Sequence, residues 1–193
     1  MLRKLYDWTI DLASHRRAPH ALFWVSFIES SVFPIPPDVM LMPMVLAKRL
    51  KAWTYAAIAT VGSVLGGVGG YLIGLLLFDF LGKPLLNLYG YGDQFEQFAS
   101  TYNEHGALIV FFFGVTPFPY KVITIASGVT QLNFLVFVLA SITSRGLRFY
   151  LVSALLYWFG PPIRDFIEQR LGLVTTVFFV LLFGGFVAVR YLV

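Results

Sequence analysis

The chain has 193 residues, of which 58% are hydrophobic and 18% aromatic but only 12% charged, where a soluble domain carries about a quarter charged residues. With a mean hydropathy of +0.77, this excludes an ordinary soluble fold and indicates an integral membrane protein, short enough to form one membrane domain over 1–193. The absence of cysteine excludes disulfides, reactive thiols and thiolate metal sites, and the net charge of +4, set beside apolar segments, fits anionic lipid headgroups and not nucleic acid.

Residues 1–20 read as an interfacial helix: Leu2, Leu5, Trp8 and Leu12 recur at spacings of three and four, with Arg3, Lys4, Asp7 and Asp11 elsewhere around it. Residues 21–81 read as a first hairpin plus a span. Ala21–Ala47 is apolar but broken at Pro34, Pro36 and Pro37 and interrupted again at Pro43, leaving arms of about a dozen residues where a span needs ~20. It carries Glu29 and runs into prolines, so it is not read as a cleavable signal. Arg3, Lys4, Arg16 and Arg17 precede it and Lys48, Arg49 and Lys51 follow it. Both flanks therefore read as cytoplasmic, which predicts a re-entrant hairpin and a cytoplasmic N-terminus.

The first full span, Trp53–Leu81, carries Gly62, Gly66, Gly70 and Gly74 at every fourth position. That face is bare backbone, suited either to close helix packing or to the wall of a substrate groove. Residues 82–106 are polar and slightly acidic, with Phe95, Phe98 and Tyr102 as an apolar stripe, and predict a second interfacial segment on the opposite side. Residues 107–159 repeat the first pattern, with a break at Pro117 and Pro119, then Lys121, a returning arm and a span containing Arg145 and Arg148. A polar turn, Pro161–Arg170, and a last span, Leu171–Val193, make up 160–193. Adding 83 to Pro34, Pro36 and Asp38 lands on Pro117, Pro119 and Lys121. The predicted fold class is an all-α integral membrane protein: two re-entrant, proline-broken helical hairpins plus transmembrane helices in an inverted repeat, with interfacial amphipathic helices.

Two prolines at i and i+2 stop a helix and free carbonyls, which hydrocarbon tolerates only where protein or a watery cavity satisfies them. Around these breaks lie Glu29, Asp38, Lys121, Arg145 and Arg148. An unpaired charge at membrane depth costs about 2.5–3.5 kcal/mol on insertion scales, so they must pair or face water. Two acids against three bases leave one positive charge. That surplus makes Lys121, Arg145 and Arg148 candidates to hold a phosphate, since a guanidinium offers it bidentate hydrogen bonds. Glu29 and Asp38 are candidates for proton coupling, because burial and a neighbouring cation act oppositely on a carboxyl's affinity for a proton. A buried salt-bridge network between the hairpins is the competing reading; apolar packing could replace such a network at little loss. His15, His20 and His105 lack metal-ligand spacing and read as interfacial, and no nucleophile-elbow, zincin or phosphate-loop pattern is present. The chain is therefore read as not an enzyme, with no catalytic residue, metal or cofactor.

Glu29 followed by Pro34-Ile35-Pro36 and Asp38, the span ending Gly70-Tyr71-Leu72-Ile73-Gly74, the turn from Pro117 to Lys121, the Ala126-Ser127-Gly128 step and the Arg145/Arg148 pair together resemble the DedA family. This is the VTT-domain or SNARE-associated Golgi protein family, and the likeness covers roughly residues 21–160. It implies two re-entrant hairpins meeting at mid-membrane and proton-linked movement of a phosphate-bearing lipid between leaflets. The lipid would be a phospholipid such as phosphatidylethanolamine, or undecaprenyl phosphate. It also implies a multi-pass location in a bacterial inner membrane, with membrane lipids and protons as partners; self-association into a homo-oligomer is left open. The family's hairpin acids map onto Glu29 and Asp38. Where many members carry two arginines around the second turn, this chain has Gly114 or Val115 and then Lys121, and Gly67 replaces an acid of the glycine-rich span; these departures indicate a subfamily with a different headgroup. A proton-coupled small-solute or cation transporter is the alternative, and a membrane-embedded lipid phosphatase using His20, Ser30 or Ser31 ranks below it.

Overall fold

The computed structural model describes residues 17–31, 36–84, 86, 92–116 and 118–169, with side chains as far as residue 160. Nearly all of the expected N-terminal interfacial helix, Pro34, Pro117 and the last span lie outside the described residues. Among them are seven α-helices and no strand: α1 Ala18–Ser31, α2 Asp38–Ala47, α3 Ala52–Leu77, α4 Gly92–Glu104, α5 Gly106–Val115, α6 Tyr120–Val129 and α7 Phe134–Gln169. Two stretches, Arg49–Phe80 and Phe134–Gly160, are long and apolar enough to cross a membrane.

The interior mixes apolar side chains such as Leu22, Met44 and Phe137 with many small hydroxyl residues, while the outside is largely apolar. Ser26, Ser30, Ser31, Ser63, Thr124, Ser127, Ser141, Ser144 and Ser153 are buried, while large apolar side chains such as Leu76, Phe80, Phe112, Leu135 and Trp158 face outward. Lipid tails solvate leucine as well as another leucine does, so helices in a bilayer gain from small residues at their contacts and not from sequestering apolar ones.

The glycine row shows this most directly. Helix α3 is the hub, packed by α1, α6 and α7, while α7 also carries α5 and α2. A Cβ on Gly62 or Gly66 would run into the backbone carbonyls of Phe23 and Phe27 on α1. A Cβ on Gly70 would meet Thr124 and one on Gly74 the Ile125 carbonyl, both on α6. Gly128 of α6 answers in kind, lying against the Tyr71 carbonyl of α3. The row is thus covered by two helices, α1 on one half and α6 on the other.

The segment expected as a polar turn after residue 160 is helical as far as Gln169, with a kink at Phe159 (φ −110°, ψ 15°). Pro161 and Pro162 have the φ of a helix start, so a proline pair stops one helix and opens the next. The kink leaves the Tyr157 carbonyl without its usual donor, because the residue four on, Pro161, has no N–H. Arg49, in the short 3-10 turn Arg49–Lys51, donates from Nη2 to that carbonyl, and its guanidinium lies 5.8 Å from the Tyr157 ring. Arg49→Met is expected to cost about 1.5 kcal/mol, the worth of a charged hydrogen bond to an otherwise orphaned carbonyl. Thermal unfolding in detergent would show it as a lowered Tm, while Leu50→Ala, at a side chain 90% exposed, leaves the Tm unchanged.

Helix α4 docks through its apolar stripe. Phe95 stacks on Phe78 at 4.5 Å, and the Tyr102 hydroxyl lies 3.0 Å from Ser127 Oγ. Burial pushes the Tyr102 phenol above its ordinary pKa, against the smaller opposing effect of the Ser127 bond, so it serves as a neutral hydroxyl.

Candidate functional site

The two breaks bring the charged side chains together. Helix α1 stops at Ser31, whose hydroxyl turns back to bond the Phe27 carbonyl at 2.9 Å. Helix α2 starts after Pro36 and Pro37 with Asp38 in its first turn, where a carboxylate suits the positive end of the helix dipole. At the second break Thr116 is extended (φ −74°, ψ 160°), as a residue before proline must be, and Pro119 caps α6. Thr124 Oγ1 on α6 donates to the Ser30 carbonyl at 3.0 Å, tying α6 to the end of α1.

Glu29 and Arg145 form one ion pair, Nη2 to Oε2 at 3.0 Å, with side chains 9% and 1% exposed. Arg145 Nε donates to Ser63 Oγ at 2.6 Å. The guanidinium carbon lies 4.9 Å from the Tyr120 ring centroid and 4.7 Å from that of Phe149, so the cation is held by two aromatic faces as well as by a carboxylate. Asp38 and Arg148 form the second pair, more open at 17% and 14% exposed. Arg148 Nη1 also donates to the Thr116 carbonyl at 2.5 Å. Arg148 therefore joins the start of α2 to the end of α5, and satisfies a carbonyl set free by the second break. Asp38 Oδ1 is buried with no hydrogen-bond partner among the described residues.

Arg145 and Arg148, three residues apart on α7, thus take different acids, one closed within protein and one partly exposed. Lys121 is half-buried in the first turn of α6, next to Tyr120. Pro36, Pro37 and Pro119 stand at the helix starts as described. Ser63, Tyr120 and Phe149 were not singled out from the sequence, although Ser63 follows Gly62 directly within the glycine row. Among the described residues no group of three or more histidine, cysteine, aspartate or glutamate side chains could hold a metal ion.

The VTT domain profile matches residues 35–158, a stretch that takes in Pro36, Pro37 and Asp38, the second break and the two arginines. The chain belongs to the VTT-domain family. An uncharacterized protein of Haemophilus influenzae is 41% identical over 156 residues, covering 81% of each chain. An uncharacterized protein of Histophilus somni is 41% identical over 167 residues, covering 86% of this chain and 87% of its own. No solved structure matches. Membership in the VTT-domain family, linked to membrane transport, agrees with apolar helices whose interior carries paired charges.

Proposed function

We propose that the protein is a proton-linked lipid transporter that passes a phosphate-bearing headgroup between leaflets. The observation that carries the reading is that both guanidiniums at the breaks are held by carboxylates. A carboxylate that takes up a proton stops competing for its arginine, and a phosphate oxygen then replaces it in the same bidentate geometry. Proton and phosphate thereby become coupled through partner exchange. The Asp38–Arg148 pair, being the more open, meets the headgroup first, with Lys121 at the adjoining break as a third cation.

Re-entrant hairpins in an inverted repeat, in a bacterial inner membrane with the N-terminus cytoplasmic, belong to this proposal. Its support is the reciprocal packing in which each hairpin lays its entering arm on its own span and its returning arm on the other: α1 and α6 on α3, α5 and α2 on α7.

Purified protein in proteoliposomes tests it by headgroup-resolved lipid movement with and without a pH gradient. Native protein is expected to move one class of phosphate-bearing lipid in a gradient-dependent way. Glu29→Gln and Asp38→Asn, which keep shape but cannot give up a proton, are expected to lose at least about tenfold in rate while remaining folded. Flux of a small solute or cation without lipid movement would replace this reading with the alternative.

A further inference from the structure

Glu29, Ser30, Ser63 and Arg145 close a hydrogen-bonded ring across three helices. Arg145 Nη2 donates to Glu29 Oε2 at 3.0 Å and Arg145 Nε to Ser63 Oγ at 2.6 Å. The Ser63 and Ser30 hydroxyls lie 2.7 Å apart, and Ser30 Oγ donates to Glu29 Oε2 at 3.0 Å. All four residues are buried.

A guanidinium only donates, an ionised carboxylate only accepts, and a hydroxyl has one hydrogen to give. The direction of the ring is therefore set. Arg145 donates to Ser63, Ser63 to Ser30, and Ser30 to Glu29. When Glu29 binds a proton it becomes a donor, and the hydroxyl chain reverses: Glu29 donates to Ser30 and Ser30 to Ser63. Ser63 then turns its hydrogen away from Ser30, and its remaining lone pair still accepts from Arg145 Nε. Arg145 keeps that bond and its place between the Tyr120 and Phe149 rings, whatever the charge on Glu29.

We infer that Ser30 and Ser63 are positioning residues, a reversible hydroxyl relay that turns its donors to match either charge state of Glu29 while Arg145 stays in place. In the protonated state the fixed guanidinium has lost its counter-charge and becomes a receptor for an anion. This deepens the phosphate-exchange reading and takes its purpose from it, but the relay is testable without transport. Glu29 shares α1 with His20, and the charged and titratable groups on the other elements around it are Asp38 on α2, Tyr55 and Tyr71 on α3, Tyr120 and Lys121 on α6, and Arg145, Arg148, Tyr150, Tyr157, Arg164, Asp165 and Glu168 on α7. Arg145 is the one bridged to it, and the relay adds a second route from the same cation to the same carboxylate.

The test is infrared difference spectroscopy of the full chain in vesicles. The carboxyl stretch is assigned to Glu29 by its loss in Glu29→Gln, and its pH profile is followed. Ser63→Ala, which removes no group bonded to Glu29 itself, is expected to shift that profile toward higher pH by about half to one unit, the worth of one hydrogen bond to the charged form. Ser30→Ala is expected to shift it at least as far, and the double variant no further than Ser30→Ala alone, because both cuts fall on one chain. Ser153→Ala, another buried serine, is expected to leave it unmoved. An unmoved profile in Ser63→Ala, a native band that does not titrate, or additive shifts would overturn the relay; if Ser63→Ala does not fold, an unmoved profile in Ser30→Ala does the same. Lipid movement is read in the same vesicles. A relay shift without lipid movement removes the transport reading and leaves the relay standing, and lipid movement without a relay shift does the reverse.

Discussion

Arg145→Ala is expected to cost the folded state about 3–5 kcal/mol, the usual penalty for removing one partner of a buried ion pair. Three losses coincide. Glu29 would be left ionised inside protein or forced to take a proton, Ser63 would lose a donor at 2.6 Å, and a space would open between the Tyr120 and Phe149 rings. Thermal unfolding in detergent should show a Tm lower by roughly 10 °C. Glu29→Gln should be milder, since the amide oxygen still accepts from Arg145 and two aromatic faces remain to hold the cation. The informative variant is Glu29→Leu with Arg145→Leu. If the pair serves only to hold helices together, the apolar double variant should be close to native in Tm and in lipid movement alike. If it is the exchange site, the double variant folds and lipid movement is lost. An Arg145→Ala protein with native Tm would mean that the two rings and Ser63 are not closed around the guanidinium, and would remove the exchange site with them.

The sequence marks this site in some respects and hides it in others. Glu29, Asp38, Arg145 and Arg148 stand out because a charge in an apolar run is costly enough to need a reason. Which acid meets which arginine does not stand out, because residues three apart share a face and only the fold, which lays α1 on α3 and α2 on α7, separates their partners. Ser63 is invisible for the opposite reason: a serine in a helix costs little, and this chain buries many of them. The glycine row is plain from its period of four, yet that period does not divide it. Only the structure assigns Gly62 and Gly66 to α1, and Gly70 and Gly74 to α6. Pro161–Arg170 reads as a polar turn because the prolines are followed by polar residues, whereas a proline pair also begins a helix. The Arg49 cap on Tyr157 follows from that local fact but joins residues 108 apart in sequence, beyond the reach of any local pattern.

Gly66→Ala is the second large effect. The added Cβ would overlap the Phe27 carbonyl oxygen and crowd the Phe27 Cα. Both are backbone, so no rotamer change relieves the clash and the two helices must move apart. Overpacking of this kind costs about 1–3 kcal/mol, and a rigid contact falls at the upper end. Gly69→Ala supplies the control three residues away, since its Cβ would lie 3.9 Å from Phe27 and Ser31 side-chain atoms, an ordinary contact. The expected result is a Tm lowered by several degrees for Gly66→Ala and nearly native for Gly69→Ala. The functional consequence is larger than the loss of stability, because pushing α1 off α3 carries Glu29 and Ser30 away from Ser63 and Arg145. Lipid movement should therefore fall in Gly66→Ala even at temperatures where the protein stays folded. The same contacts bear on how the protein moves. A rocking that carried α6 off α3 would strip it from Gly70 and Gly74 while α1 stayed on Gly62 and Gly66, giving up the close contacts on which helix packing in a bilayer depends. Motion confined to α2 and α5, which meet at Arg148 and leave the glycine face untouched, avoids that cost. Since the chain has no cysteine, paired cysteines introduced across α1–α6 and across α2–α5 separate the two: a crosslink between α2 and α5 should stop lipid movement, and one between α1 and α6 should leave it intact.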